Sequence, residues 1–100
     1  MLTVARHVMD FLASKGLSQA FLFTGGMAMH LNDALASEDR IRTVCCHHEQ
    51  ACALAAEGYA HVTGRPALVL VTAGPGALNA LTGVFGAYTD GMPMIVVSGQ

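Results

Sequence analysis

Two rhythms of hydrophobic residues alternate along this chain. From Thr3 to Lys15, Val4, Val8, Phe11 and Leu12 recur at helical spacing, Thr3 is suited to cap the N-terminus, and Lys15 and Gly16 supply stop signals. Ala20–Phe23 is a short continuous apolar run, the mark of a buried strand, and Thr24-Gly25-Gly26 breaks it. Met27–Leu35 returns to the helical rhythm with Leu31, Ala34 and Leu35 on the inward face, and a polar loop, Ser37–Arg40, follows. Ile41–Cys46 reads as a second strand and Ala51–Val62 as a helix of small side chains that permits close packing, ended by Gly64-Arg65-Pro66. Ala67–Thr72 is the clearest strand, apolar on both faces as a central parallel strand should be. Ala73–Gly76 predicts a turn, Ala77–Tyr88 a fourth helix, Asp90–Pro93 another turn and Met94–Val97 a fourth strand. Strand and helix alternate throughout. This predicts an α/β fold in one domain: a parallel sheet of about four strands with helices on both faces, an incomplete doubly wound arrangement.

Composition sharpens this picture. Apolar residues make up 53% of the chain and charged ones 12%, so a packed core is affordable, yet so apolar a small domain predicts that another surface covers part of it. Seven acidic residues against five basic ones, with no basic patch, exclude a nucleic-acid partner. The three cysteines, Cys45, Cys46 and Cys52, are clustered and odd in number, which is no disulfide framework and fits a reducing cytoplasm. Asp10 and Lys15 interrupt any signal-peptide pattern. Pro66–Thr89 carries no charge, but Gly74-Pro75-Gly76 breaks it, so it is read as soluble core and not as a membrane span.

Chemistry is expected at the carboxyl ends of the strands, where open α/β sheets bind ligands. Four segments lie there: Thr24–Met27, Cys46–Gln50, Ala73–Asn79 and Ser98–Gln100. Three contain glycine and the other carries Glu49. By position alone Glu49 is a first-turn glutamate favoured by the helix dipole; beside three glycine turns it suggests an open site. Gly74-Pro75-Gly76-Ala77-Leu78-Asn79 is not a dinucleotide fingerprint, because Asn79 stands in the third glycine position and no acidic residue ends the next strand. Nor is it a Walker A loop, since no lysine follows. Cys45, Cys46, His47, His48 and Cys52 are potential ligands, but the four in a row alternate between opposite faces of a strand, so they are read as buried cysteines and one hydrogen-bonded histidine, with no metal among them. His7, His30 and His61 read as isolated helix-face or surface residues.

One ordered series of motifs goes further: His48-Glu49-Gln50, Ala56-Glu57-Gly58-Tyr59-Ala60, Gly64-Arg65-Pro66, Val71-Thr72-Ala73-Gly74-Pro75-Gly76-Ala77-Leu78-Asn79, Asp90-Gly91-Met92-Pro93 and Ser98-Gly99-Gln100. It resembles the N-terminal, pyrimidine-binding domain of thiamine-diphosphate enzymes, most closely the acetolactate synthase-like branch, and the similarity runs from Thr3 to the end. The resemblance implies that residues 1–100 are the N-terminal part of that domain, without the middle and diphosphate-binding domains. It implies a thiamine-diphosphate-dependent 2-keto acid decarboxylase or carboligase. There Glu49 hydrogen-bonds the cofactor's aminopyrimidine and favours the imino tautomer, which removes the proton from the thiazolium carbon. Gly25 and Gly26 would line the thiazolium side, and Pro75, Gly76 and Asn79 the pyrimidine pocket. Magnesium and the diphosphate would lie outside this segment, as would flavin in the members that bind it. The active site would form between subunits of a cytoplasmic homodimer or homotetramer, and these residues alone would be inactive. Thr24, Met27, Met29, His30, Cys45 and Cys46 depart from the usual pattern, which leaves the substrate open. The alternative is a non-catalytic interaction or regulatory module that keeps the fold.

Overall fold

The computed structural model describes residues 2–100. Strands β1 (Gln19–Leu22), β2 (Arg42–Cys45), β3 (Leu68–Val71) and β4 (Ile95–Ser98) form one sheet, parallel throughout, in the order β2-β1-β3-β4. Phe21 stands between Val44 and Val69, and Val69 between Phe21 and Val96. β1 and β3 are neighbours, and the strands that follow each in the chain lie on opposite sides of that pair. The crevice beyond their carboxyl ends is therefore a topological switch point.

Five helices cover the sheet: α1 (Val4–Ser14), α2 (Met29–Ala36), α3 (Glu49–Thr63), α4 (Pro75–Asn79) and α5 (Leu81–Asp90). The two-residue period of the strands sorts the core into two layers. Ala20, Leu22, Leu68 and Leu70 face one side, where they pack with Met9, Leu17, Ala34, Leu35 and Ile41. Val69 and Val71, with Phe21 and Phe23, face the other and meet Cys52, Ala53, Ala56 and Ala80. All four β3 side chains are completely buried, and each contributes roughly 1.5–3 kcal/mol of burial. The α/β reading with helices on both faces holds.

Three local expectations are corrected. α1 is capped as predicted, with the Arg6 amide donating to Thr3 Oγ1 at 3.2 Å, but its inward face is Ala5, Val8, Met9, Leu12 and Ala13. Val4 is 81% exposed and Phe11 51%; the face is turned by one residue because Met9, unbranched and adaptable, fills the core better than Phe11. The Lys15 ammonium instead lies 5.4 Å from the Phe11 ring centre. The third helix starts at Glu49, earlier than Ala51, because His48 caps it. The fourth predicted helix is two: α4 starts at Pro75, whose fixed φ suits a first helical position, and the chain tightens at Ala80, where the amide bonds to Ala77 O at 3.1 Å. Gly83 then lets α5 lie against the α3 backbone; a Cβ there would sit 2.8 Å from the Ala53 carbonyl carbon.

Candidate functional site at the strand ends

The four predicted strand-end segments do converge: three of them meet at Thr72, and the fourth joins through Glu49, which reaches Gly76 and Asn79. Thr72 follows β3 directly. The Met27 amide donates to Thr72 Oγ1 at 3.2 Å, and Ser98 Oγ donates to Thr72 O at 3.2 Å. A Cβ on Gly25 would lie 2.7 Å from Thr72 Cγ2, and one on Gly76 would lie 2.6 Å from the same methyl. Both glycines are therefore required by close approach to one threonine. Gly99 presses in turn on the Met27–Ala28 backbone, where a Cβ would come within 2.7 Å of Ala28 Cα. Gly26 differs: it opens a short 3-10 turn, Gly26–Ala28, and its missing side chain faces open space. Thr72 was not singled out from the sequence. Its signal was a β-branched hydroxyl placed between a wholly apolar strand and a glycine turn.

Glu49 occupies the first turn of α3. His48 is the N-cap, in extended conformation at φ −162°, ψ 145°, and its Nδ1 accepts the Gln50 amide at 3.0 Å. An imidazole thus does the work usually given to serine or aspartate. It leaves the glutamate at the positive end of the helix dipole, where a carboxylate is favoured. Glu49 is 7% exposed. Asn79 Nδ2 donates to its Oε1 at 3.2 Å. Its Oε2 lies 3.0 Å from where a Gly76 Cβ would be, so the bare glycine makes room for the carboxylate. Among the described residues no Lys, Arg or His comes within ion-pair distance of it.

The turn before α4 explains how Asn79 reaches Glu49. Gly74 adopts φ 68°, ψ −128°, a conformation open to glycine and strained for other residues. Pro75 then starts a helix just long enough to carry Asn79 back over Gly76. Of the sequence-predicted site residues, Glu49, Gly76 and Asn79 touch one another; Gly25 joins them through Thr72; Gly26 and Pro75 flank the group.

The cysteine and histidine run is corrected in part: His48 is the hydrogen-bonded histidine, but Cys45 is not buried, because it lies on the outer strand β2, whose residues are all exposed. Cys45, His47 and His48 are exposed, Cys46 is half-buried, and Cys52 is fully buried. Burial first, then the neighbouring Cys46 thiol, pushes the Cys52 thiol up to about 12. It is thus an inert core thiol. His61 is not isolated: its Nε2 lies 3.5 Å from Glu57 Oε1 and 3.6 Å from Asp90 Oδ2. No helix among the described residues is long and apolar enough to cross a membrane.

Comparison with known proteins gives the chain's family. Residues 2–100 match the family model for the thiamine pyrophosphate enzyme N-terminal TPP binding domain. The chain is 42% identical over 99 residues to the acetolactate synthase large subunit of Haemophilus influenzae, covering 99% of this chain and 17% of that protein. It is 44% identical over 100 residues to the acetolactate synthase isozyme 3 large subunit of Escherichia coli, covering all of this chain and 17% of that one. Against the mitochondrial acetolactate synthase catalytic subunit of Saccharomyces cerevisiae it is 38% identical over 91 residues, 91% of this chain and 13% of the relative. The chain thus spans less than a fifth of the length of these relatives. Its carboxylate rim, built on Thr72 and filled by Glu49, sits in a sequence that belongs to the thiamine pyrophosphate enzymes, as their N-terminal TPP-binding domain.

Proposed function

We propose that this chain is the front part of the pyrimidine-binding domain of a thiamine-diphosphate-dependent 2-keto acid carboligase of acetolactate synthase type, and that Glu49 holds the cofactor's aminopyrimidine. The observation that carries this reading is the state of Glu49: a buried carboxylate with one neutral donor, Asn79, and no cation within ion-pair distance among the described residues. A buried carboxylate is stable when its remaining lone pairs find donors. A protonated ring nitrogen is such a donor, and Oε2, which lies against the bare Cα of Gly76, has no hydrogen-bond partner within the described residues. The residues present therefore fit the group.

When bound, the cofactor supplies an electron sink for carbon–carbon chemistry at a 2-keto acid. This chain's residues do the holding. Glu49 accepts from the ring nitrogen and favours its protonated form, more strongly for lying out of water. Asn79 fixes the orientation of the carboxylate. Thr72 holds the Gly25 loop and the Gly76 turn together, so that backbone and not side chain forms the wall at Gly25, Gly26, Pro75 and Gly76. Magnesium, the diphosphate and any flavin belong to segments outside these residues.

The same reading makes the whole protein a cytoplasmic homodimer or homotetramer with the site between subunits. Leu78, Leu81, Phe85 and Tyr88 support this: they form an exposed stripe at helical spacing along α4 and α5, each more than half exposed. These 100 residues alone then neither bind the cofactor tightly nor turn over a 2-keto acid.

The test is Glu49→Gln in the full-length subunit. Loss of a charge-assisted hydrogen bond costs about 1.5–3 kcal/mol, so proton exchange at the thiazolium carbon should slow by about tenfold to more than a hundredfold. Exchange at the wild-type rate with the cofactor still bound would remove Glu49 from this role.

A further inference from the structure

A second cluster lies two helical turns along α3 from Glu49, on the face toward α5, and the proposed function makes no use of it. Glu57 and His61 are one turn apart on α3, and Asp90 is the last residue of α5. We propose that Glu57, His61 and Asp90 form a binding site for a zinc-class divalent cation that ties α3 to α5. The argument rests on geometry, donor chemistry and charge.

Glu57 Oε1 and Asp90 Oδ2 lie 3.5 and 3.6 Å from His61 Nε2, and one ligand atom from each residue falls within 4.8 Å of the other two. Tetrahedral zinc, with bonds of about 2.0–2.1 Å, holds its ligand atoms about 3.3–3.4 Å apart. The two edges at His61 are already within a few tenths of an ångström of that spacing, which a side-chain rotation closes. One imidazole with two carboxylates is a donor set for zinc, cobalt or nickel, whereas magnesium and calcium prefer oxygen throughout.

The charge balance points the same way. Among the described residues no lysine or arginine reaches either carboxylate, and His61 is their one ion-pair partner. The cluster thus brings two carboxyl groups to one imidazole with no lysine or arginine against them, and a bound dication would balance their charge.

The framework is also in place. A Cβ on Gly86 would lie 2.9 Å from Glu57 Oε2, so α5 carries a glycine where the carboxylate needs room. Gly83, one turn earlier, seats α5 on the α3 backbone and fixes the spacing of the ligand-bearing helices. Glu57 is 12% exposed while His61 and Asp90 are about half exposed, which gives the ion an entry path and leaves a fourth position for water.

The experiment is a zinc titration of the full-length subunit against a chromophoric chelator, repeated with His61→Gln and Asp90→Asn. The expected result is one zinc per chain at micromolar affinity in the wild type, weakened about tenfold or more by either substitution. Circular dichroism establishes that the variants are folded. Cobalt substitution in the wild type gives a readout that needs no variant: a tetrahedral nitrogen and oxygen spectrum without thiolate-to-cobalt charge transfer supports the site. Zinc affinity unchanged by both substitutions, a thiolate band pointing to Cys45 and Cys46, or no stoichiometric binding would each overturn it.

Discussion

Gly76→Ala is the substitution that tests how the rim is built. The new methyl would stand 2.6 Å from Thr72 Cγ2 and 3.0 Å from Glu49 Oε2, where ordinary contact begins at 3.4 Å. Thr72 cannot simply swing away: its hydroxyl holds the Met27 amide, and Gly25 lies against its other side. Glu49 is held by Asn79. Overpacking of this kind costs about 1–3 kcal/mol, and in a domain of this size each kcal/mol lowers the melting temperature by roughly 4–8 °C. The 100-residue chain carrying Gly76→Ala should therefore melt several degrees to roughly 20 °C below wild type. In the full-length subunit the displaced carboxylate should also weaken thiamine diphosphate binding. Gly26→Ala is the control, because its methyl would meet nothing within 4 Å in this chain, and its melting temperature should stay within about 2 °C of wild type. Equal melting curves for Gly76→Ala and wild type would refute the claim that Thr72 and Glu49 occupy the space beside that glycine.

Gly58 lies inside α3 with no atom within 4 Å of a Cβ there, so Gly58→Ala should stabilise the chain by about 0.5–1 kcal/mol in a urea titration; a loss of stability would show that the space is filled. Hydrogen bonds from the Arg40 side chain and amide hold the Glu38 carboxyl down at about 2. A depressed folded value means that the contribution is present above the ordinary glutamate range and lost as pH falls through about 2. A carboxyl-resolved NMR titration should show that midpoint, and Arg40→Ala should return it toward 4.5. Thiol alkylation at neutral pH should modify exposed Cys45 first and leave Cys52 unmodified in the folded chain, since that thiol is fully buried and pushed up to about 12; equal rates would contradict the packing under α3.

What the sequence made legible follows from which interactions are local. β3 was readable because burial on both faces leaves an uninterrupted Leu-Val-Leu-Val run, and α1 was readable from its cap. The facing of α1 was not, because Phe11 and Met9 are both apolar and only the shape of the core between α1 and the sheet chooses between them. The break at Ala80 was hidden for a related reason: neither a proline nor a glycine stands there, and Asn79 just before it is as compatible with a continuing helix as with an end. The site divides in the same way. Glu49, Gly76 and Asn79 were named through an ordered resemblance, and physical reasoning about position alone left Glu49 as a helix-dipole glutamate. Thr72 and the Glu57–His61–Asp90 cluster escaped because each joins segments far apart in the chain. The i, i+4 spacing of Glu57 and His61 was visible, but Asp90 looked like a turn residue until α5 was seen to end on it. Both features depend on glycines that no rule of turns would explain: Gly25 and Gly76 around one threonine, Gly86 beside one carboxylate. Gly25, Gly76 and Gly86, all of ordinary φ, thus mark places where another side chain approaches the backbone, whereas Gly26 and Gly58 do not. Mapping what each such glycine admits locates the rim at Glu49 and the second cluster without reference to any relative.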